Sequence, residues 1–244
     1  MKKNIITIIS LAFFTVGSTY AQDIQSILDK HFKAIGQEKV LKIQTQVSTG
    51  KLLNMGMEIP FTSITKRPGK AYLEMDIQGA KVVSAFDGVK GWAIQPWTGS
   101  AEPVDLSGPD LRPLEEMSDL NGAMWNYEEK GHQLELLGTE DLDGTQVYVL
   151  KMTRKNGEIF HYYIDNEKYI VVKMKFTMMV NGQENEIVDL MSDFQDVDGY
   201  LMPFTHKQAF DGQTGMSMIY EEVKFNEDID DAIFLKPVTS PANE

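Results

Sequence analysis

From residue 40 onward, apolar and polar positions alternate with a period of two along most of the chain, which predicts strands. The clearest run is Tyr169–Val180, YIVVKMKFTMMV. Ile170, Val172, Met174, Phe176, Met178 and Val180 fall on one face. Tyr169, Val171, Lys173, Lys175, Thr177 and Met179 fall on the other. At about 3.3 Å per residue such a strand spans about 40 Å. A strand that long, dry on one side, predicts a large, strongly curved sheet whose apolar face needs a cover.

Shorter runs predict its neighbours. In the first half these are Ile43–Ser48 and Leu52–Ile59, joined at Gly50–Lys51, then Phe61–Lys66, Ala71–Ile77, Lys81–Phe86 and Gly91–Gln95. Asp87–Gly88 sits between two of them, as in a hairpin. In the second half they are Gln133–Leu137, Gln146–Thr153, Gly157–Ile164, Glu186–Phe194, Leu201–Phe210 and Met216–Phe225. Gly, Asn or Asp separates consecutive runs, Asn181–Gly182 among them, and these residues enter tight turns at low steric cost. Two stretches read otherwise. Asp23–Ile35 repeats Ile24, Ile27, Leu28, Phe32 and Ile35 at helical spacing, with Asp23 to cap it and Gly36 to stop it. Asp110–Asn121 predicts a short second helix, with Leu111, Leu114 and Met117 inward and Glu115, Glu116 and Asp119 toward water. Pro96–Pro113, with Trp97, reads as a loop, and Phe234, Leu235 and Pro237 as a closing latch. The fold class expected is mainly β: a large, strongly curved antiparallel sheet, a half-open barrel, covered by an N-terminal helix and a short lid helix.

The amino terminus reads differently. Lys2 and Lys3 precede an apolar run, Ile5–Val16, and Thr19-Tyr20-Ala21 supplies small residues before Gln22, the pattern of a secretory signal peptide. Residues 1–21 are therefore set apart from a single domain over 22–244, placed in the periplasm. No cysteine stands near the cleavage site, and none occurs in the chain. The domain must therefore hold without disulfides. Its 23 Lys and Arg against 36 Asp and Glu become 21 against 36 without the leader, a net charge of −15. That balance speaks against a nucleic-acid groove and does not forbid a hydrophobic ligand enclosed within.

Catalytic and metal signatures are missing. His31, His132, His161 and His206 carry no zinc-site spacing, and there is no GxSxG elbow, P-loop or dinucleotide fingerprint. The acidic turns Asp193–Gly199 and Asp141–Gly144 lack the full calcium-loop pattern. No catalytic residue, cofactor or metal is assigned. The 14 methionines are more suggestive. Methionine fills irregular volume and adapts to variable partners, as a cavity for acyl chains requires; ordinary core packing accounts for them as well.

Residues 66–96 resemble the LolA family of periplasmic lipoprotein carriers. Lys66-Arg67-Pro68 looks like the family's KRP segment, and Asp87-Gly88, Trp92 and Pro96 look like its strand turn followed by W-x-x-x-P. Phe234-Leu235-Lys236-Pro237 looks like its closing F-x-x-P. The resemblance implies a non-enzymatic carrier that binds the acyl chains of lipoproteins. Such a carrier takes its cargo from an inner-membrane release complex to an outer-membrane acceptor, most simply as a monomer. It implies that Arg67 latches the lid helix through backbone carbonyls in the empty state; a rim arginine holding a strand end is the plainer role. Candidate cavity residues are Leu73, Met75, Trp92, Leu114, Met117, Met174, Phe176 and Met178. The acidic lid and the long second half depart from a minimal carrier. A binding or sensing module for a hydrophobic ligand or glycolipid stays open, as does an envelope hydrolase with dispersed active-site residues.

Overall fold

The computed structural model describes residues 16–96, 102–180 and 183–238. Thirteen strands form one antiparallel sheet. They are β1 (Thr45–Asn54), β2 (Met57–Lys66), β3 (Lys70–Ile77), β4 (Ala80–Phe86), β5 (Gly91–Ile94), β6 (Val104–Leu106), β7 (Gln133–Leu142), β8 (Thr145–Thr153), β9 (Ile159–Asp165), β10 (Val171–Val180), β11 (Gln183–Val197), β12 (Tyr200–Phe210) and β13 (Gln213–Phe225). The helices are α1 (Val16–Ile35), α2 (Gln37–Val40) and α3 (Arg112–Met117). Most of residues 1–21, the expected leader, and the turn at Asn181–Gly182 lie outside the described residues, as does Trp97. Among the described residues no helix is long and apolar enough to cross a membrane.

The strand order is β6-β5-β4-β3-β2-β1-β13-β12-β11-β10-β9-β8-β7. Two meanders run outward from a seam between β1 and β13. The expected half-open, strongly curved barrel is thereby corrected: the sheet is open, and its edge strands β6 and β7 pair with no second neighbour. Strand length and alternation do not specify closure, which requires the tilt and stagger of the end strands to match. Here one end strand is only three residues long. Because β6 and β7 lie at opposite edges, the chain between them has to cross the sheet. That crossing segment carries α3 and residues 118–132.

The helical stripe behaves as its spacing predicts. Ile24, Ile27 and Leu28 of α1 are buried with Leu150, Met152, Phe160, Tyr162 and Ile164 of β8 and β9, and with Met124 of the crossing segment. Each buried aliphatic or aromatic side chain here stabilises the fold by about 1.5–3 kcal/mol. Gly36 ends α1 at φ 74°, and a Cβ there would stand 2.0 Å from the Gly199 carbonyl oxygen. Gly50, expected in a turn, instead lies inside β1. A Cβ at Gly50 would meet the Ile219 carbonyl oxygen at 2.1 Å, so glycine admits the close approach of β13 at a register shift. The turn falls at Met55 and Gly56, both at positive φ.

Tyr169–Val180 needs two corrections. Tyr169 stands outside the strand with φ 57°, and the strand starts at Val171. A bulge between Val171 and Lys173 then breaks the alternation. Val171 joins Met174 and Phe176 against the α1-covered core, while Val172 packs on Val147, Val149 and Tyr163 on the opposite face. Among the described strands β11 is longer, with 15 residues. The loop expected over Pro96–Pro113 contains β6, an edge strand of three residues paired to β5 and too short for a side-chain period to announce it.

Candidate functional site: a lidded cavity

A cavity of about 940 Å³ lies between the sheet and the crossing segment. Its volume is at the upper end of ordinary ligand pockets. Phe32, Ile35, Met124, Tyr162, Val171, Met174, Met191, Phe194 and Met202 supply apolar lining from α1, the crossing segment and β9–β12. Met191 and Phe194 both reach it, although an even spacing would be needed for one face of a strand. Asp193 between them, at φ 52°, breaks the alternation. Gln46, Ser63, Thr65, His206 and Tyr220 supply a polar share from β1, β2, β12 and β13.

The lid is α3 with the turns that follow it. The helix is shorter than the predicted Asp110–Asn121 and is preceded by a 3-10 turn at Gly108–Asp110. Pro113 fits the first turn, where its missing N–H has no helical partner to lose. Leu114 is buried against Ala71 and Phe86, with Leu73, Leu106, Leu111 and Met117 around them. Leu111 seats on Gly91, where a Cβ would stand 2.1 Å from Leu111 Cδ1. The acidic residues expected to face water are partly engaged. Glu116 pairs with Arg154 and Arg112 with Glu158, which ties α3 to the β8–β9 hairpin. The Arg154 guanidinium also stacks 3.7 Å from the Phe160 ring centroid. Asp119 pairs with Lys130, whose ammonium also donates to the Gly122 carbonyl at 2.7 Å. The lid thus rests on apolar contacts at β3–β4 and on ion pairs at β8–β9.

Arg67 sits at the end of this lid. Its Nε donates to the Ile43 carbonyl at 2.7 Å, and Nη2 donates to the Val40 carbonyl at 3.1 Å and to Asn121 Oδ1 at 2.7 Å. The buried Gln37 donates through Nε2 to the Asn121 carbonyl at 3.1 Å. The side chain therefore joins the α2 end, where helix carbonyls lack partners, to the last residue of the predicted lid segment. The lid acceptor is the Asn121 side chain instead of a helix carbonyl.

The other candidate residues separate into groups. Leu73, Leu114 and Met117 come together under the lid. Met117 and Met174 line the cavity, and Phe176 stacks on Phe160 at 4.9 Å in the adjoining core. Met75 pairs in register with Phe61 and Val82, away from the cavity lining. Trp92 is on the other side of the sheet, opposite Ala85 in register, with Nε1 donating to the Phe234 carbonyl at 2.9 Å. There it meets the C-terminal 3-10 turn, whose Phe234 is fully buried. The side chain of Met178 lies outside the described residues.

Sequence reasoning passed over Asn121, Arg112, Arg154, Asp189, His206 and Tyr220. For His206 a signal existed: it shares the parity of the buried Met202 and Phe204 on β12. His206 Nδ1 is 3.0 Å from Oδ2 of Asp189, which is 3% exposed and whose Oδ1 has no partner. Burial pushes the Tyr220 phenol up to about 12, with Tyr200 and Asp189 adding to it, so Tyr220 keeps its proton. His31, 5% exposed, hydrogen-bonds the Tyr169 carbonyl through Nδ1 at 2.8 Å, and burial lowers its pKa. Among the described residues no three His, Asp or Glu side chains are placed to hold a metal. Among the described residues no hydrogen bond joins a histidine to a side-chain hydroxyl.

Comparison with known proteins places the architecture. A family model described only as "-like: Uncharacterized protein" matches residues 117–237. No curated protein matches the sequence. Among solved structures, a DUF1329 family protein from Desulfovibrio piger is 13% identical. It covers 86% of this chain and 97% of its own, with a TM-score of 0.58. A LolA superfamily protein from Nitrosomonas europaea is 17% identical, covering 87% of this chain and 97% of its own, with a TM-score of 0.57. The fold of this chain therefore resembles that of the LolA superfamily, at identities that speak for architecture alone.

Proposed function

We propose that this protein is a non-enzymatic periplasmic carrier that encloses the acyl chains of a lipoprotein or a similar lipid and hands them on. The observation that carries the reading is the 940 Å³ cavity with apolar lining under a segment that crosses the sheet. Burial of an acyl chain is worth about 0.8 kcal/mol per CH₂, so such a cavity binds lipid without a covalent step. The likeness to the Nitrosomonas europaea LolA superfamily protein supports the carrier class. The predicted leader at residues 1–21 supports the compartment. Cargo would enter as α3 and the turns after it lift, with Arg67 and Asn121 as the releasing contact. An inner-membrane release complex and an outer-membrane acceptor would be its partners.

The test is native mass spectrometry of protein purified from its own cell envelope, with lipid extraction of the bound fraction. Transfer of an acylated lipoprotein from donor to acceptor vesicles is then measured. Bound acyl cargo with transfer supports a carrier. Bound cargo without transfer indicates a binding or sensing module. A cavity that takes up no acyl compound, natural or added, ends the proposal.

A further inference from the structure

The cavity wall is not uniformly apolar, and the division follows the strand order. Strands β9, β10 and β11 present Tyr162, Met174, Met191 and Phe194. The adjoining run β12-β13-β1-β2 presents the polar groups of His206, Tyr220, Gln46 and Ser63, beside an apolar start of β12 at Leu201, Met202 and Pro203. These polar groups are incompletely used. The Tyr220 hydroxyl and Ser63 Oγ have no protein hydrogen bond among the described residues. Gln46 uses its amide N–H toward Ser48 at 3.2 Å and leaves its carbonyl oxygen unengaged. His206 engages Asp189 through Nδ1 only, which leaves Nε2 for another partner. Its ring stands edge-on to Tyr220, with centroids 6.0 Å apart, so the two polar edges belong to one patch. Polar groups inside a cavity gain most from a ligand that completes their hydrogen bonds.

We propose that this patch is a head-group subsite and that the cargo is an amphiphile with a neutral, hydroxyl-bearing head, an acylglycerol-type group, its chain directed toward β9–β11. The inference rests on the carrier reading and specifies the ligand that reading leaves open. Charge decides against the alternatives. No Lys or Arg stands on the polar strands' share of the lining. The Asp189 carboxylate behind His206 disfavours a carboxylate or phosphate at this point. Of the four Lys and Arg in the lining, Arg112, Arg154 and Lys130 are paired with Glu158, Glu116 and Asp119, and the fourth, Lys155, stands in the β8–β9 connection and not on the polar strands. A cationic head is not favoured either, because the partnerless Asp189 Oδ1 is closed off from contact. What is left are groups that both donate and accept, Tyr220, Ser63 and the Gln46 amide, with the second nitrogen of His206. Hydroxyls on a glycerol or sugar complement that set.

The test uses the delipidated full-length mature protein, with a monoacylglycerol and the free fatty acid of the same chain length as probes. Affinity is measured by calorimetry, or by fluorescence of Trp125, which lines the cavity. The expected result is at least tenfold tighter binding of the monoacylglycerol. In Tyr220→Phe, which keeps the ring and removes the hydroxyl, that preference should fall severalfold while fatty-acid affinity stays within about twofold. His206→Phe should act in the same direction. If the fold does not accept it, Ser63→Ala provides a milder second variant. Equal affinities for the two probes, or a preference unmoved in Tyr220→Phe, overturn the subsite while leaving acyl binding intact. Failure of both probes to bind overturns the subsite and the carrier reading together.

Discussion

Asn121→Ala isolates the contact between Arg67 and the lid. It removes the Oδ1 acceptor at 2.7 Å, while the Asn121 carbonyl can still accept from Gln37 and Arg67 keeps its bonds to Ile43 and Val40. A hydrogen bond to a charged donor is worth about 1.5–3 kcal/mol. Arg67 and Asn121 are both half-buried, so water partly replaces the lost acceptor and the lower end applies. An effect of about 1–2 kcal/mol corresponds to about a 5- to 30-fold change in the opening equilibrium. The assay is hydrogen exchange of the amides over residues 112–125, with β1 and β2 amides as internal reference. Exchange in the lid should rise by that factor while the reference is unchanged, because the lid opens by itself and the sheet does not. The companion Arg67→Leu should also expose the Val40 and Ile43 carbonyls, lowering global stability as well as lid closure. If lid exchange in Asn121→Ala equals that of the parent protein, the contact does not hold the lid and the latch is refuted.

Arg154→Met should loosen α3 on the β8–β9 hairpin by leaving Glu116 without its guanidinium partner, while Arg112 still pairs with Glu158. A loss of about 1–3 kcal/mol is expected by chemical denaturation, and the parent's own lid exchange should rise with salt. Gly50→Ala places a Cβ 2.1 Å from a backbone oxygen of β13, where no side chain can yield. It should cost about 3 kcal/mol in urea unfolding, whereas Gly56→Ala, with open space around it, acts only through its positive φ. His31 is held neutral by burial, so the unfolded chain takes up a proton first as pH falls below about 6.5. Stability should be full above that pH and decline below it; in His31→Gln that part of the slope should vanish in denaturation curves taken between pH 7 and 5.

The assignments of α1 and of β3, β4, β12 and β13 were legible because local periodicity records which residues face a core, and those of β5 and β8 because short apolar runs stand between turn residues. The α1 stripe packs as its spacing requires, from Ile24 to Phe32. Arg67 was singled out through its resemblance segment and hydrogen-bonds Asn121; of the other candidates Met117 and Met174 reach the cavity lining, while Leu73 and Leu114 pack beneath the lid. Positions that break the alternation were not legible. The bulge at Val171–Lys173 and the left-handed Asp193 move Val171 and Phe194 onto the cavity side, and no local composition marks either one. Trp92 was assigned to the wrong side because a lone aromatic on a four-residue strand does not say which face is covered. The face is decided by Phe234, far along the chain.

By itself the sequence determined strand content, the amphipathic helix, the lack of cysteine and of catalytic spacing, and the acidic charge. These are properties of single residues and short windows, and elementary chemistry reads them directly. The tertiary structure alone decided that β1 joins β13, that the sheet stays open, and that the segment between the edge strands must cross it as a lid. It also decided that His206, Tyr220, Gln46 and Ser63 share one wall of a cavity. Such facts depend on pairing between residues more than a hundred positions apart. Their energy comes from contacts that exist only once both partners are placed, so no window of the chain contains them.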